Sequence, residues 1–362
     1  MSEKRIEWID VLKGIGIILV ILGHTHVLFR TYIFSFHMPL FFFISGYLFT
    51  IDRYKNFAEF ACKKVKSILV PYLFLCIVSL ILAFIVSGSE TNPLEFVKQI
   101  VISKRNAMPV NPTLWFLTCL FAIELLFYLL TRALKNDLIK SGFIIVLSLL
   151  GFNVSLNATL PFSFNLSLYY LLFYLIGNLT KKVKDNHAVK YIGFACLGIS
   201  IVLLIYPSYF DVLQSTFETK GYYVSYVYSV LIAMIGILGC MSLSRILVHS
   251  QYLKRLGQNT ILIFAIHIFI LDGAYYLLTS LGLTVNQGYN IYGVTITIVC
   301  LIVLKPIIQF INNYFGMFWE NFLSKLKMML IAIKLCPKPW PRIIPDAISL
   351  IALELYIETD RF

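Results

Sequence analysis

Apolar residues in this chain come in long runs separated by short polar stretches, not in the narrow stripes of a water-facing helix. A run of about 18 or more apolar residues is long enough to cross a bilayer as a helix. Such runs fall at about 11–29, 35–51, 67–87, 113–131, 142–159, 166–179, 191–206, 223–243, 260–281 and 291–311. The pattern therefore predicts an all-α, polytopic membrane protein with about ten transmembrane helices. The weakest pair is 142–159, which carries Asn153 and Asn157, and 166–179, which is short; together they are also consistent with a re-entrant hairpin.

Composition agrees with this reading. Of the 362 residues, 59% are hydrophobic and 13% charged, and the mean hydropathy is +0.83. About a quarter of a soluble domain's residues are charged, so this chain has too little polar surface to cover itself in water. A water-soluble enzyme is excluded. The net charge of +12 does not indicate nucleic acid, because the basic residues lie between the apolar runs, where topology places them. Segments 1–10, 52–66, 132–141, 180–190 and 244–259 hold seventeen Lys and Arg, against five in 30–34, 88–112, 160–165, 207–222 and 282–290. The first set is expected in the cytoplasm with both termini. The seven cysteines form no CxxC pair and sit mostly in apolar runs, so neither a disulfide framework nor a metal site is expected. The first apolar run contains Asp10 and Lys13, and no cleavable signal peptide is expected.

Two domains follow: a membrane domain over 1–311 and a cytoplasmic tail over 312–362. The tail is basic and amphipathic, then Pro-rich (KLCPKPWPRIIP), and its last apolar run is too short to span, so it is expected to lie at the bilayer surface.

Charged groups at bilayer depth are costly and mark candidate functional positions. In the first span Lys13 and His24 are eleven residues apart, three turns plus about 20°, which places them on one face about 16 Å apart along the axis. Asp10 falls on the same stripe, and His26 points away from it. Asp10 and Lys13 read either as a salt bridge anchoring a helix end or as part of a site. His24 reads either as a neutral cross-helix hydrogen-bonding group or as a catalytic base. With a short link centred at about 30.5, His37 in the second span falls at a depth like that of His24, and the two imidazoles are expected near one cavity. Ser45 and Gly46 allow close helix approach. Glu124 lies mid-span, protonated between helices or active in chemistry. His267 lines a route for a donor or bonds across helices. Lys63, Lys64 and Lys66 precede a span, as a topology signal or a phosphate-holding patch.

The opening R-x4-D-x2-K-G-I-x-I and L-G-H, followed by FHMPLFFFISGYLF, resemble the bacterial membrane acyltransferase-3 family, especially its fucose 4-O-acetylase-like branch. WFLTCLFAIELLF and LGQNTILIFAIHIF agree with it, and the resemblance covers about residues 5–311. It implies about ten spans in the cell membrane and an acyl-CoA donor, usually acetyl-CoA, taken from the cytoplasm as a substrate. It also implies transfer to a hydroxyl of a carbohydrate or lipid-linked glycan outside, with no tightly bound cofactor. The family's basic residue, ten intervening residues and histidine fall on Lys13 and His24, and its basic pre-span pair on Lys63 and Lys66. His24 then acts as general base or acyl carrier, Lys13 and Asp10 position the donor, and His37 and His267 line its route. The competing class is a transporter or flippase for lipid-linked sugars, which needs no acyl donor.

Overall fold

The computed structural model describes residues 6–87, 93–103, 111–157, 160–183, 187–282, 292–310 and 313. Residues 1–305 and 306–362 form two units. Apart from Asn313, the expected tail lies outside the described residues. Every regular element among the described residues is helical, as a bilayer requires of a chain whose backbone groups find no water there.

Helices α1 (Glu7–Gly23) and α2 (Arg30–Leu48) form the first hairpin. α3 (Phe57–Lys64) runs through a π-turn at Val65–Leu69 into α4 (Val70–Ser87). α5 (Pro93–Ile102), α6 (Trp115–Ala133), α7 (Asp137–Asn157) and α8 (Phe164–Thr180) follow. Next come α9 (His187–Ile205), α10 (Pro207–Glu218), α11 (Tyr222–Ile246), α12 (Gln251–Gln258), α13 (Thr260–Ser280) and α14 (Tyr292–Phe310). The start of α3 is capped reciprocally: Asn56 accepts from the Glu59 N–H, and the Glu59 carboxylate accepts from the Lys55 N–H, both at 2.9 Å.

Among the described residues, eight helical stretches are long and apolar enough to cross a bilayer, or nine if α9 and α10, bent by 101° at Tyr206, are counted as one broken span. The first predicted span forms a helix of 17 residues. The weakest pair of predicted segments corresponds to α7 and α8; α7 contains a stretch long enough to cross, Asp137–Ser155, and α8 reaches that length together with the 3-10 turn before it, Pro161–Thr180. They pack side by side, with the Ser148 hydroxyl donating to the Tyr169 carbonyl at 2.9 Å.

The basic segments converge at one end. Lys182 pairs with Asp137, Lys181 donates to Thr50 at 2.8 Å, and Arg132 donates to the Tyr54 carbonyl at 3.3 Å. Trp8 meets the Tyr47 ring at 5.3 Å, Arg245 lies over Trp8, and Lys254 pairs with Glu7 at 2.7 Å. In the other set, the Ser163 hydroxyl donates to the Ser103 carbonyl. Grouping of the five basic segments is what an even alternation of spans demands.

Several helix contacts approach backbone to backbone, two of them through a glycine on each partner. A Cβ on Gly46 would strike the Tyr174 carbonyl of α8, and one on Gly177 the Phe43 carbonyl of α2. Gly14 and Gly257 do the same for α1 and α12, against Leu253 and Asp10.

A candidate active site where the first and thirteenth helices meet

α1 ends because the chain turns immediately after Gly23. His24 is its C-cap, its N–H bonded to the Ile21 carbonyl at 3.0 Å, and His26 takes a left-handed conformation with φ of 54°. The expected link at 30–34 is thus corrected to 24–29, and Arg30 falls in the first turn of α2. His24 and His37 are therefore not equidistant from the link, yet they line one cavity. The Phe34 ring joins them, 5.8 Å from His24 and 5.2 Å from His37.

The cavity, about 260 Å³, is lined by His24, Arg30, His37, Thr113, Trp115 and Phe264 among others. Beside it His267 is fully buried, and its ring meets that of His24 edge to face, centroids 5.3 Å apart.

All three imidazoles are held alike. Nδ1 of His24 lies 2.8 Å from the Val20 carbonyl, and Nδ1 of His37 lies 2.8 Å from that of Ile33. Nδ1 of His267 lies 2.9 Å from the Phe264 and 3.1 Å from the Ile263 carbonyl. A carbonyl oxygen only accepts, so each Nδ1 carries the proton and donates. In the neutral ring Nε2 is then the lone-pair nitrogen, the tautomer a general base needs. His267 Nε2 is buried and has no hydrogen-bond partner among the described residues.

The sequence placed His267 two turns in from the cytoplasmic end, which does not by itself bring it to His24 at the far end of α1. The close Gly14 and Gly257 contacts lay α12 along the first half of α1, so α13 starts beside the middle of α1. Seven further residues, about 10 Å of rise, carry His267 up to His24. The α12–α13 segment thus covers one stripe of α1: Gln258 Nε2 lies 3.5 Å from Asp10 Oδ2 at one end and His267 meets His24 at the other.

A loop ahead of α6 fixes this part of α13. Asn111 Nδ2 donates to the Ala265 carbonyl at 2.7 Å, and the Thr113 hydroxyl donates to Asn111 Oδ1 at 2.6 Å.

The remaining sequence candidates lie elsewhere. Asp10 is buried against α12 and Lys13 is half-buried; neither is among the residues lining the cavity. Glu124 is buried on α6, with Lys64 Nζ 2.8 Å from its Oε2 and Tyr174 beside it. Lys63 pairs with Glu59 at 2.8 Å on the exposed face of α3, and Lys66 is exposed in the π-turn. A second cavity of about 560 Å³ lies at the basic end, lined by Trp8, Tyr47 and Arg245 among apolar residues. No group of three or more His, Cys, Asp or Glu among the described residues is placed to hold a metal ion.

Three polar residues at the site were not among the sequence candidates. Arg30 lines the cavity with its guanidinium 4.8 Å from the Phe34 ring, and Asn111 and Thr113 pin α13. Arg30 carried only a topology signal as the one basic residue of 30–34. Asn111 and Thr113 flank Pro112 ahead of an apolar run, which marks a helix start and nothing more.

No curated protein and no solved structure matches this chain. The acyltransferase-3 profile, described as an acyltransferase domain, matches residues 6–305. That interval contains α1, all three histidines and the segment that joins them, and the chain belongs to the acyltransferase-3 family of membrane acyltransferases.

Proposed function

We propose that the protein is an O-acetyltransferase of the fucose 4-O-acetylase-like branch. It moves an acetyl group from cytoplasmic acetyl-CoA to a hydroxyl of a cell-surface or exopolysaccharide sugar. The observation that carries this reading is that His24 and His37 line one cavity while His267 packs against His24 behind it, each imidazole with Nδ1 tied to a backbone carbonyl.

In the direct form of the reaction His24 Nε2 takes the proton of the acceptor hydroxyl as its oxygen attacks the thioester carbonyl. The C–S bond breaks, the ester C–O bond forms, and the proton passes to the leaving thiolate. His267, fully buried against the half-buried His24 ring, limits the positions open to that ring and keeps water from its inner side. The donor's phosphates remain at the basic end, where Lys63 and Lys66 are exposed, and its arm spans the roughly 16 Å from Lys13 to His24. Both termini then face the cytoplasm.

The test is transfer of labelled acetyl from acetyl-CoA to the cell's exopolysaccharide by purified protein. Acceptor-dependent release of free coenzyme A that is lost in His24→Ala at equal folded protein supports the reading. Wild-type transfer by His24→Ala overturns it. A flippase would release no coenzyme A.

A further inference from the structure

One charge at the cavity is left without a task by acetyl transfer. Arg30 is the cation among the lining residues, and its Nε is buried with no hydrogen-bond partner among the described residues. The Tyr275 hydroxyl on α13 is likewise buried without a partner and lies close enough to feel the Arg30 charge. A guanidinium donor sealed from water without an acceptor is costly, and so is a lone buried hydroxyl. The Arg30 deficit is met by a ligand group in the cavity with several acceptor oxygens, and Tyr275, behind the lining residues, stands near the same charge.

The surroundings favour negative charge there. Arg30 sits in the first turn of α2, a helix of 19 residues whose N-cap, Phe29, offers no side-chain acceptor, so the positive end of that helix points the same way. His26 packs against the Tyr275 ring at 5.9 Å, and beside Arg30 it stays uncharged near neutrality. The nearest acid on α13, Asp272, is exposed one turn before Tyr275 and leaves the buried Nε unmatched.

We propose that Arg30, with Tyr275 beside it, anchors an anionic group, carboxylate or phosphate, on the acceptor, and so selects acidic or phosphate-bearing glycans over neutral ones. This rests on the reading of the site as an acetyltransferase. The donor's own phosphates are excluded as the occupant, because Arg30 lies beyond the end of α1 opposite to the basic segments that would meet them. A fork of parallel N–H donors matches both oxyanions, and the histidines stay available for the hydroxyl that reacts.

The experiment is calorimetric binding of three probes to detergent-purified protein: methyl glucuronide, glucose 1-phosphate and methyl glucoside. The wild type is expected to bind one or both charged probes about tenfold or more tighter than the neutral one. Arg30→Gln is expected to erase that preference, Arg30→Lys to keep part of it, and Tyr275→Phe to lower it. The relative strength of the two charged probes distinguishes carboxylate from phosphate. Equal binding of all three by the wild type, no binding of any, or an undiminished preference in Arg30→Gln overturns the proposal. Should Arg30→Gln not fold, an undiminished preference in both Arg30→Lys and Tyr275→Phe does so. The readout is independent of turnover: an Arg30-dependent preference in a protein that transfers no acetyl group would uphold the anion site and sink the acetyltransferase reading.

Discussion

The imidazole of His24, at the end of α1, meets that of His267, in the middle of α13, edge to face with ring centroids 5.3 Å apart and planes at 73°. Each ring is also tied through Nδ1 to the carbonyls of its own helix. Residues that act as one unit in catalysis lose activity non-additively. His24→Ala is expected to lower kcat/KM by about 100- to 10,000-fold. His267→Ala is expected to cost less, and the double variant little more than His24→Ala alone. Kinetics on the four proteins of this cycle check it; strictly multiplicative losses would mean the two rings act independently.

Glu124, buried on α6, pairs at 2.8 Å with Lys64, half-buried at the end of α3 and distant in sequence from the histidine site. Removing one partner of a fully buried pair costs about 3–5 kcal/mol, and less where the charge left behind reaches solvent as Lys64 does, whereas replacing both with apolar or neutral groups of similar size is milder still. Glu124→Ala is therefore expected to lower the melting temperature in detergent well below that of Glu124→Gln/Lys64→Met. A double variant as unstable as the single one would show that Glu124 has other essential contacts.

Gly46 and Gly177 let α2 and α8 touch through their backbones, with carbonyls standing where a Cβ would go. Backbone cannot yield as a side-chain tip does, so even Gly46→Ala forces the helices apart. Loss of most monodisperse protein on fluorescence-detected size-exclusion is expected for Gly46→Leu, and a smaller loss for Gly46→Ala. Gly142→Ala, where a Cβ meets nothing within 4 Å, serves as the control.

His26 lies in the link between α1 and α2, where burial first and the Arg30 charge second hold its pKa below the ordinary 6.5. Below about pH 6.5 the unfolded chain therefore binds the proton more readily than the folded one. Its contribution to stability is complete above that pH and is lost as pH falls through it. Asn tolerates the left-handed backbone at this position and does not titrate. His26→Asn is expected to narrow the drop in melting temperature between about pH 7.5 and pH 5.5. An unchanged drop would assign the pH dependence to other groups.

Val183 is exposed in the basic segment that follows α8. With this segment in the cytoplasm, a cysteine placed there by Val183→Cys reacts with a membrane-impermeant maleimide only after cells are permeabilised. Labelling of intact cells would invert the topology and place the donor on the wrong side.

Much of the fold is a local property of this sequence. Apolar runs dictate helices because no other element satisfies its backbone in lipid, and the stripe shared by Asp10 and His24 follows from 3.6 residues per turn. Both residues do face one segment of chain, α12 and α13. Which segment that is, and at what height, depends on backbone contacts between Gly14 and Leu253 and between Gly257 and Asp10, which no periodicity encodes. His24, His37 and His267 were legible as candidates because titratable groups in apolar runs are rare. Arg30 was not, because a basic residue near a span end has a topological explanation already. Its place at the cavity was decided only when the chain turned at His26 and put Arg30 inside α2 instead of in the link. Residue type and spacing act over a few turns of one helix; the site forms where three stretches distant along the chain, 20–38, 111–115 and 264–267, meet, and packing alone determines that.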